Sequence, residues 1–228
     1  MRSEPIKLEN QDIISVSSVS VPKRFVEDVS GVLISKGLIK DRIEAVAEEI
    51  AEDYKNNDLH LLCVLEGAKP FHYQVESVLS DVHSKNSGFK PFYSHEIKVE
   101  SYKDTKSSGK IKITSAANLE ELAGKDVLIV EDIVDTGKTL KGIKDMKEPQ
   151  IGLIEHLETK YNPNSVRVLT LLDKRVSKVD NYKPDYTCFS IPKLFVVGYG
   201  MDINQHLREI PHLCVISDKG IQKYSISK

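Results

Sequence analysis

The stretch VLIVEDIVDTGKT, residues 127–139, decides the fold. Its first four residues form a continuous apolar run, as expected for a strand covered on both faces. Two adjacent carboxylates, Glu131 and Asp132, stand at the end of that run. A third, Asp135, precedes Thr136, Gly137, Lys138 and Thr139. The Gly-Lys-Thr invites a P-loop reading, but that motif needs a glycine five positions before Gly137, where the chain has Asp132. A turn of this kind still suits one phosphate, offered backbone N–H groups and hydroxyls at a helix start. Three carboxylates would repel a polyphosphate lying directly over them. They suit a ribose diol, which donates hydrogen bonds, or a bound Mg²⁺.

Working outward, runs at 61–65, 91–102, 165–172, 185–191, 194–199 and 212–217 read as further strands. Ile43, Val46, Ala47, Ile50 and Ala51 mark one face of a helix begun at Asp41, with Glu44 completing a capping-box variant. Pro70 suits the first turn of a second helix, whose apolar face is Phe71, Val75, Val78, Leu79 and Val82. Strands alternating with helices predict an α/β fold with a mostly parallel twisted sheet flanked by helices. Ligands in such sheets bind beyond the carboxyl ends of the strands.

The 228 residues carry 32 Lys+Arg against 34 Asp+Glu, a formal charge of −2. That balance excludes a strong field for nucleic acid or an anionic membrane. No apolar run approaches the roughly 18 residues needed to cross a bilayer. The polar N-terminus does not read as a signal peptide, and the Ser/Val-rich 1–21 segment suggests partial disorder. Cys63, Cys188 and Cys214 sit in apolar runs without metal-ligand spacing, and read as buried hydrophobes in a reducing, cytoplasmic setting.

Eight segments, in order, resemble the hypoxanthine-guanine branch of the type I phosphoribosyltransferases: GLIKDRIEAVA, LLCVLEGAKPF, ESYKDTKSSGKIKI, VLIVEDIVDTGKT, LLDKR, YKPDYTCFSIP, FVVGYGMDINQHLREI and HLCVIS. The resemblance covers nearly the whole chain, from about Val32 to Tyr224. The resemblance implies a single domain over 1–228, with a core at about 40–175. A small hood would form from the N-terminal segment and about 176–228. The implied reaction transfers a 5-phosphoribosyl group from phosphoribosyl pyrophosphate to hypoxanthine or guanine, with Mg²⁺, in a homodimer or homotetramer.

The resemblance also implies roles. Thr136, Gly137, Lys138 and Thr139 hold the 5′-phosphate, while Glu131 and Asp132 face the ribose hydroxyls and the metal. Asp135 is the general base for the purine N7 proton. Lys174 contacts the 6-oxo group, Phe195 stacks on the base, and the Val196 backbone reads its far edge. Asp202 is linked to the metal on the purine side, and Glu66, Gly67 and Arg208 lie on the pyrophosphate. Ser101 and Tyr102 open a long loop expected to close over the site. Taken singly, Lys174 reads as a solvated strand-end lysine, Phe195 as core and Arg208 as a surface helix residue. Their joint match carries the argument.

Two departures stand out. The family's pyrophosphate turn usually reads Leu-Lys-Gly-Gly, often with a cis non-proline peptide, and here it is Leu65, Glu66, Gly67 and Ala68. Glu66 puts negative charge beside pyrophosphate unless Lys69 compensates. Residues 140–152 intervene after the phosphate turn, either as a surface excursion or as a displaced helix start that loosens the 5′-phosphate site. These departures motivate an alternative, a weakly active or non-catalytic nucleotide-binding paralogue. A third possibility is transfer to another base, such as xanthine or a pyrimidine.

Overall fold

The computed structural model describes residues 3–101, 111–115, 118–143 and 150–225. In chain order the elements are β1 (Ile6–Lys7), β2 (Val29–Ile34), α1 (Lys36–Tyr54), β3 (Leu59–Leu65), α2 (Lys69–Lys85) and β4 (Phe92–Ser101). There follow β5 (Ile111–Ser115), β6 (Asp126–Val134), α3 (Lys138–Lys141), β7 (Gly142–Ile143), β8 (Gln150–Ile151) and α4 (Leu153–Tyr161). The chain continues through β9 (Ser165–Lys174), β10 (Tyr186–Ile191), β11 (Val196–Val197), β12 (Leu213–Ile216) and α5 (Asp218–Tyr224).

Val127, Leu128, Ile129 and Val130 are all fully buried, which places β6 in the middle of the main sheet. That sheet runs β1-β10-β9-β6-β3-β4-β5. Every neighbouring pair is parallel except β4 with β5. On one face lie α1 and α2, whose Ile39, Ile43, Val46, Ala47, Phe71, Val75 and Leu79 join the largest core cluster. Leu153, Ile154 and Leu157 of α4 fill the other face with Leu119 and Leu122. Truncating fully buried Phe71 to alanine would cost about 3–5 kcal/mol. A smaller sheet, β11-β12-β2, is antiparallel and surrounds its own core of Val32, Val197, Ile210 and Cys214.

Three expectations need correction. Helix α1 starts at Lys36 rather than Asp41, because the Ser35 side chain accepts from the Leu38 N–H and caps it. The 194–199 run forms strand only at Val196–Val197, since Pro192 precedes it and Gly198 follows with a left-handed backbone. Residues 3–21, expected to be partly disordered, are folded. Ile6 pairs with Phe189 on the sheet edge, and Ile14 bridges Val32. Two arginines stitch this segment down: buried Arg42 donates to the carbonyls of Glu4, Thr187 and Cys188, and Arg175 to those of Leu8 and Ser190. The main sheet consequently reaches beyond residues 40–175 at both ends, taking in β1 and β10.

All three cysteines are free and buried, and burial pushes each thiol up to about 12. Among the described residues no helix is long and apolar enough to cross a membrane.

Candidate active site

Parallel pairing of β6 with β9 sets Val134 opposite Asp173, so the residues just beyond both strands share one edge of the sheet. Asp135 follows β6 and Lys174 ends β9. Lys174 Nζ donates to Asp135 Oδ2 at 3.0 Å. The lysine side chain is mostly covered, while the carboxylate is half exposed. The two residues that the resemblance assigns to the Hoogsteen edge of a purine therefore meet directly.

Glu131 and Asp132, within β6, precede Asp135. Burial, reinforced by the adjacent Asp132 charge, pushes the Glu131 carboxyl well above its usual range. Its Oε2 is buried with no hydrogen-bond partner among the described residues. Burial likewise raises Asp132, to about 6, against hydrogen bonds from backbone N–H groups and the pull of Arg208. Asp132 Oδ1 accepts from the Ile133 N–H at 2.8 Å.

The turn that follows is built on Gly137, whose φ of +75° disfavours any residue with a Cβ. Thr136 O accepts from the Val179 N–H, and Gly137 O from the Lys141 N–H, closing the single turn of α3. A small cavity of about 90 Å³ is lined by Glu131, Asp135, Thr136, Gly137, Lys138 and Thr139, among others. The Tyr182 ring covers the other side of Gly137, where an added Cβ would approach it to 3.3 Å. Nothing in the sequence pattern singled out Tyr182, because its partner lies far away along the chain.

Of residues 140–152, those described form the end of α3 and the short strands β7 and β8. Strands β7 and β8 pair antiparallel, and positions 144–149 of the excursion lie outside the described residues. Gly152 then packs so tightly that a Cβ would fall 2.3 Å from Leu140 O and 2.4 Å from Gly142 N. The start of α4 thereby abuts the end of α3.

On the opposite flank, the peptide between Leu65 and Glu66 is cis. A Cβ on Gly67 would fall 1.8 Å from Asp132 Oδ2, so only glycine lets this turn lie on the β6 carboxylates. Arg208 reaches the same flank. It donates to Gly200 O at 2.5 Å, pairs with Asp202 Oδ1 at 2.9 Å and lies 3.6 Å from Glu66 Oε2. Asp202 is further fixed by the Gln205 N–H. Arg208 lies in a turn rather than a helix. Lys69 does not offset Glu66: its ammonium pairs with Glu96 and sits over the Tyr73 ring.

Phe195 is half exposed, so the core reading does not hold. Val196 beside it is buried in β11, paired with Val215. Ser101 ends β4, while Tyr102 and the loop after it, 102–110, lie outside the described residues.

Comparison with known proteins identifies the family of this fold. The family described as "Phosphoribosyl transferase domain" matches residues 34–204. Human phosphoribosyltransferase domain-containing protein 1 is 39% identical over 205 residues, covering 90% of this chain and 86% of its own. Hypoxanthine-guanine phosphoribosyltransferase of Rattus norvegicus is 37% identical over 204 residues, 90% of this chain and 88% of its own. Among solved structures, the hypoxanthine-guanine phosphoribosyltransferase of Schistosoma mansoni in complex with IMP superposes with a TM-score of 0.76 at 30% identity. That match covers 98% of this chain and 100% of the other. The chain belongs to the phosphoribosyl transferase domain family and stands with its hypoxanthine-guanine branch.

Proposed function

We propose that this protein transfers the 5-phosphoribosyl group of phosphoribosyl pyrophosphate to hypoxanthine or guanine, forming IMP or GMP and pyrophosphate in purine salvage. The observation that carries this reading is the 3.0 Å pair of Asp135 and Lys174 at adjoining strand ends. N7 and O6 share one edge of a 6-oxopurine, close enough for one side chain to contact both. Asp135 takes the N7 proton as N9 attacks the anomeric carbon and the bond to pyrophosphate breaks. Lys174 donates to O6, and adenine, whose 6-amino group is itself a donor, leaves it unpaired. Phe195 supplies a stacking face. The 136–139 turn holds the 5′-phosphate, and Glu131 and Asp132 accept from the ribose hydroxyls.

The donor set also suits Mg²⁺. Among the described residues no three His, Cys, Asp or Glu side chains converge to hold a metal unaided. Mg²⁺ commonly takes one or two carboxylates and completes its shell with waters and substrate oxygens. The unpartnered Glu131 Oε2, with Asp132 and Asp202 nearby in the site, fits that mode. When bound, Mg²⁺ supplies charge neutralisation for the leaving pyrophosphate. Arg208 holds the same group, and closure of the 101–110 loop excludes water. A homodimer or homotetramer in the cytoplasm completes the proposal.

The test is product formation from purified protein with Mg²⁺ and phosphoribosyl pyrophosphate, offering hypoxanthine, guanine, xanthine and adenine separately. Turnover on 6-oxopurines and not on adenine is expected. Folded protein that binds nucleotide but turns over no base would favour the alternative, a weakly active or non-catalytic nucleotide-binding paralogue. The Glu66–Arg208 contact is the observation on that side.

A further inference from the structure

The pyrophosphate flank gathers charge of the wrong sign for its substrate. Arg208 is met by Asp202 at 2.9 Å and by Glu66 at 3.6 Å, with the Asp132 carboxylate beneath the same turn. The nearest other cation in the turn, Lys69, is drawn away to Glu96. The two carboxylates on Arg208 are held differently. Asp202 is anchored by a 2.7 Å hydrogen bond from the Gln205 N–H as well as by the guanidinium. The Glu66 side chain is 57% exposed, and its ion pair with Arg208 is longer than a hydrogen bond. Rotation into solvent would release it, whereas Asp202 is fixed in place.

We infer that Glu66 acts as a tethered anion competing for Arg208, so that pyrophosphate and phosphoribosyl pyrophosphate must displace its carboxylate before they engage the guanidinium. This rests on the phosphoribosyltransferase reading of the site. The anionic substrate enters a flank with one carboxylate too many, and its affinity is set partly by how readily Glu66 turns out. The purine flank carries no such competitor, because its Asp135 and Lys174 are equal and opposite. Glu66 therefore sets affinity for the pyrophosphate-bearing substrate without touching base selection.

The experiment is isothermal titration of pyrophosphate, with Mg²⁺, into wild-type protein, Glu66→Gln and Glu66→Asp, alongside KM values for phosphoribosyl pyrophosphate and hypoxanthine. Glu66→Gln removes the charge at constant shape. It is expected to lower the pyrophosphate Kd and the phosphoribosyl pyrophosphate KM about 3- to 10-fold, and to leave the hypoxanthine KM in place. Glu66→Asp keeps the charge but shortens the reach to Arg208, and falls between the two. Raising ionic strength narrows the gap between wild type and Glu66→Gln, because screening weakens both the ion pair and the repulsion. Equal Kd values for wild type and Glu66→Gln, or a gap that salt leaves unchanged, overturn the inference. Titration requires no turnover, so it separates the two proposals: pyrophosphate binding without turnover defeats the reaction while leaving the competition measurable. Failure of all three proteins to bind pyrophosphate overturns both.

Discussion

At the proposed purine end of the site a lysine meets one carboxylate; at the proposed pyrophosphate end an arginine meets two. Lys174 and Asp135 form a neutral pair at 3.0 Å, drawn from the ends of two neighbouring strands whose register is set deep in the core. In the proposed reaction both groups have a task on the incoming base, and the pair would then be a preassembled template that opens onto its ligand. Arg208 sits on a turn, shared between Asp202 and Glu66, and only the guanidinium gains from contact with an anion. Pairing between two useful groups organises a site. Pairing with a spare carboxylate taxes it.

The strongest way to break this comparison is Asp135→Asn. Loss of the base is expected to lower kcat by about 10²- to 10⁴-fold, with circular dichroism unchanged; retention of the full rate would remove Asp135 from the chemistry. Gly67→Ala should follow. Its Cβ would collide with Asp132 Oδ2, so the turn must shift, and about a 100-fold loss in kcat/KM for phosphoribosyl pyrophosphate is expected. A normal kcat/KM would mean the turn absorbs the shift harmlessly. Lys174→Met acts on the purine end alone. Preference for hypoxanthine over adenine, measured as a ratio of kcat/KM, should shrink roughly 10- to 100-fold, the worth of one charge-assisted hydrogen bond; an unchanged ratio would assign selectivity elsewhere. Phe195→Leu is the gentlest probe. Losing a stacking face should raise the KM for hypoxanthine about 3- to 10-fold, and no change would show the ring does not cover the base.

How far the sequence carried this picture depended on how local each signal was. The strand and turn at 127–139 were legible because an apolar run, a carboxylate cluster and a glycine with positive φ lie side by side. The apolar faces of α1 and α2 were legible from spacing, yet the start of α1 was not, since Ser35 offered a better cap than Asp41. The N-terminal segment hid its order because a two-residue strand has no periodicity, and its anchors, Arg42 and Arg175, lie elsewhere in the chain. In the candidate site, the family resemblance named single residues but said nothing of their pairings. Neither the Asp135–Lys174 bond nor the Glu66–Arg208 contact leaves any trace in local pattern. Lys69 shows the cost of that gap: sequence proximity suggested compensation for Glu66, and the fold spends the charge on Glu96.

The β7–β8 excursion departs and returns at nearly one point, where Gly152 abuts Leu140 O and Gly142 N. Whatever the chain does between those strands, its two ends are already joined when it re-enters the scaffold. Lengthening a tolerated surface connection costs little, about 0.6 kcal/mol per doubling. A change in the length of this connection is therefore expected to leave the 136–139 turn beside it in place.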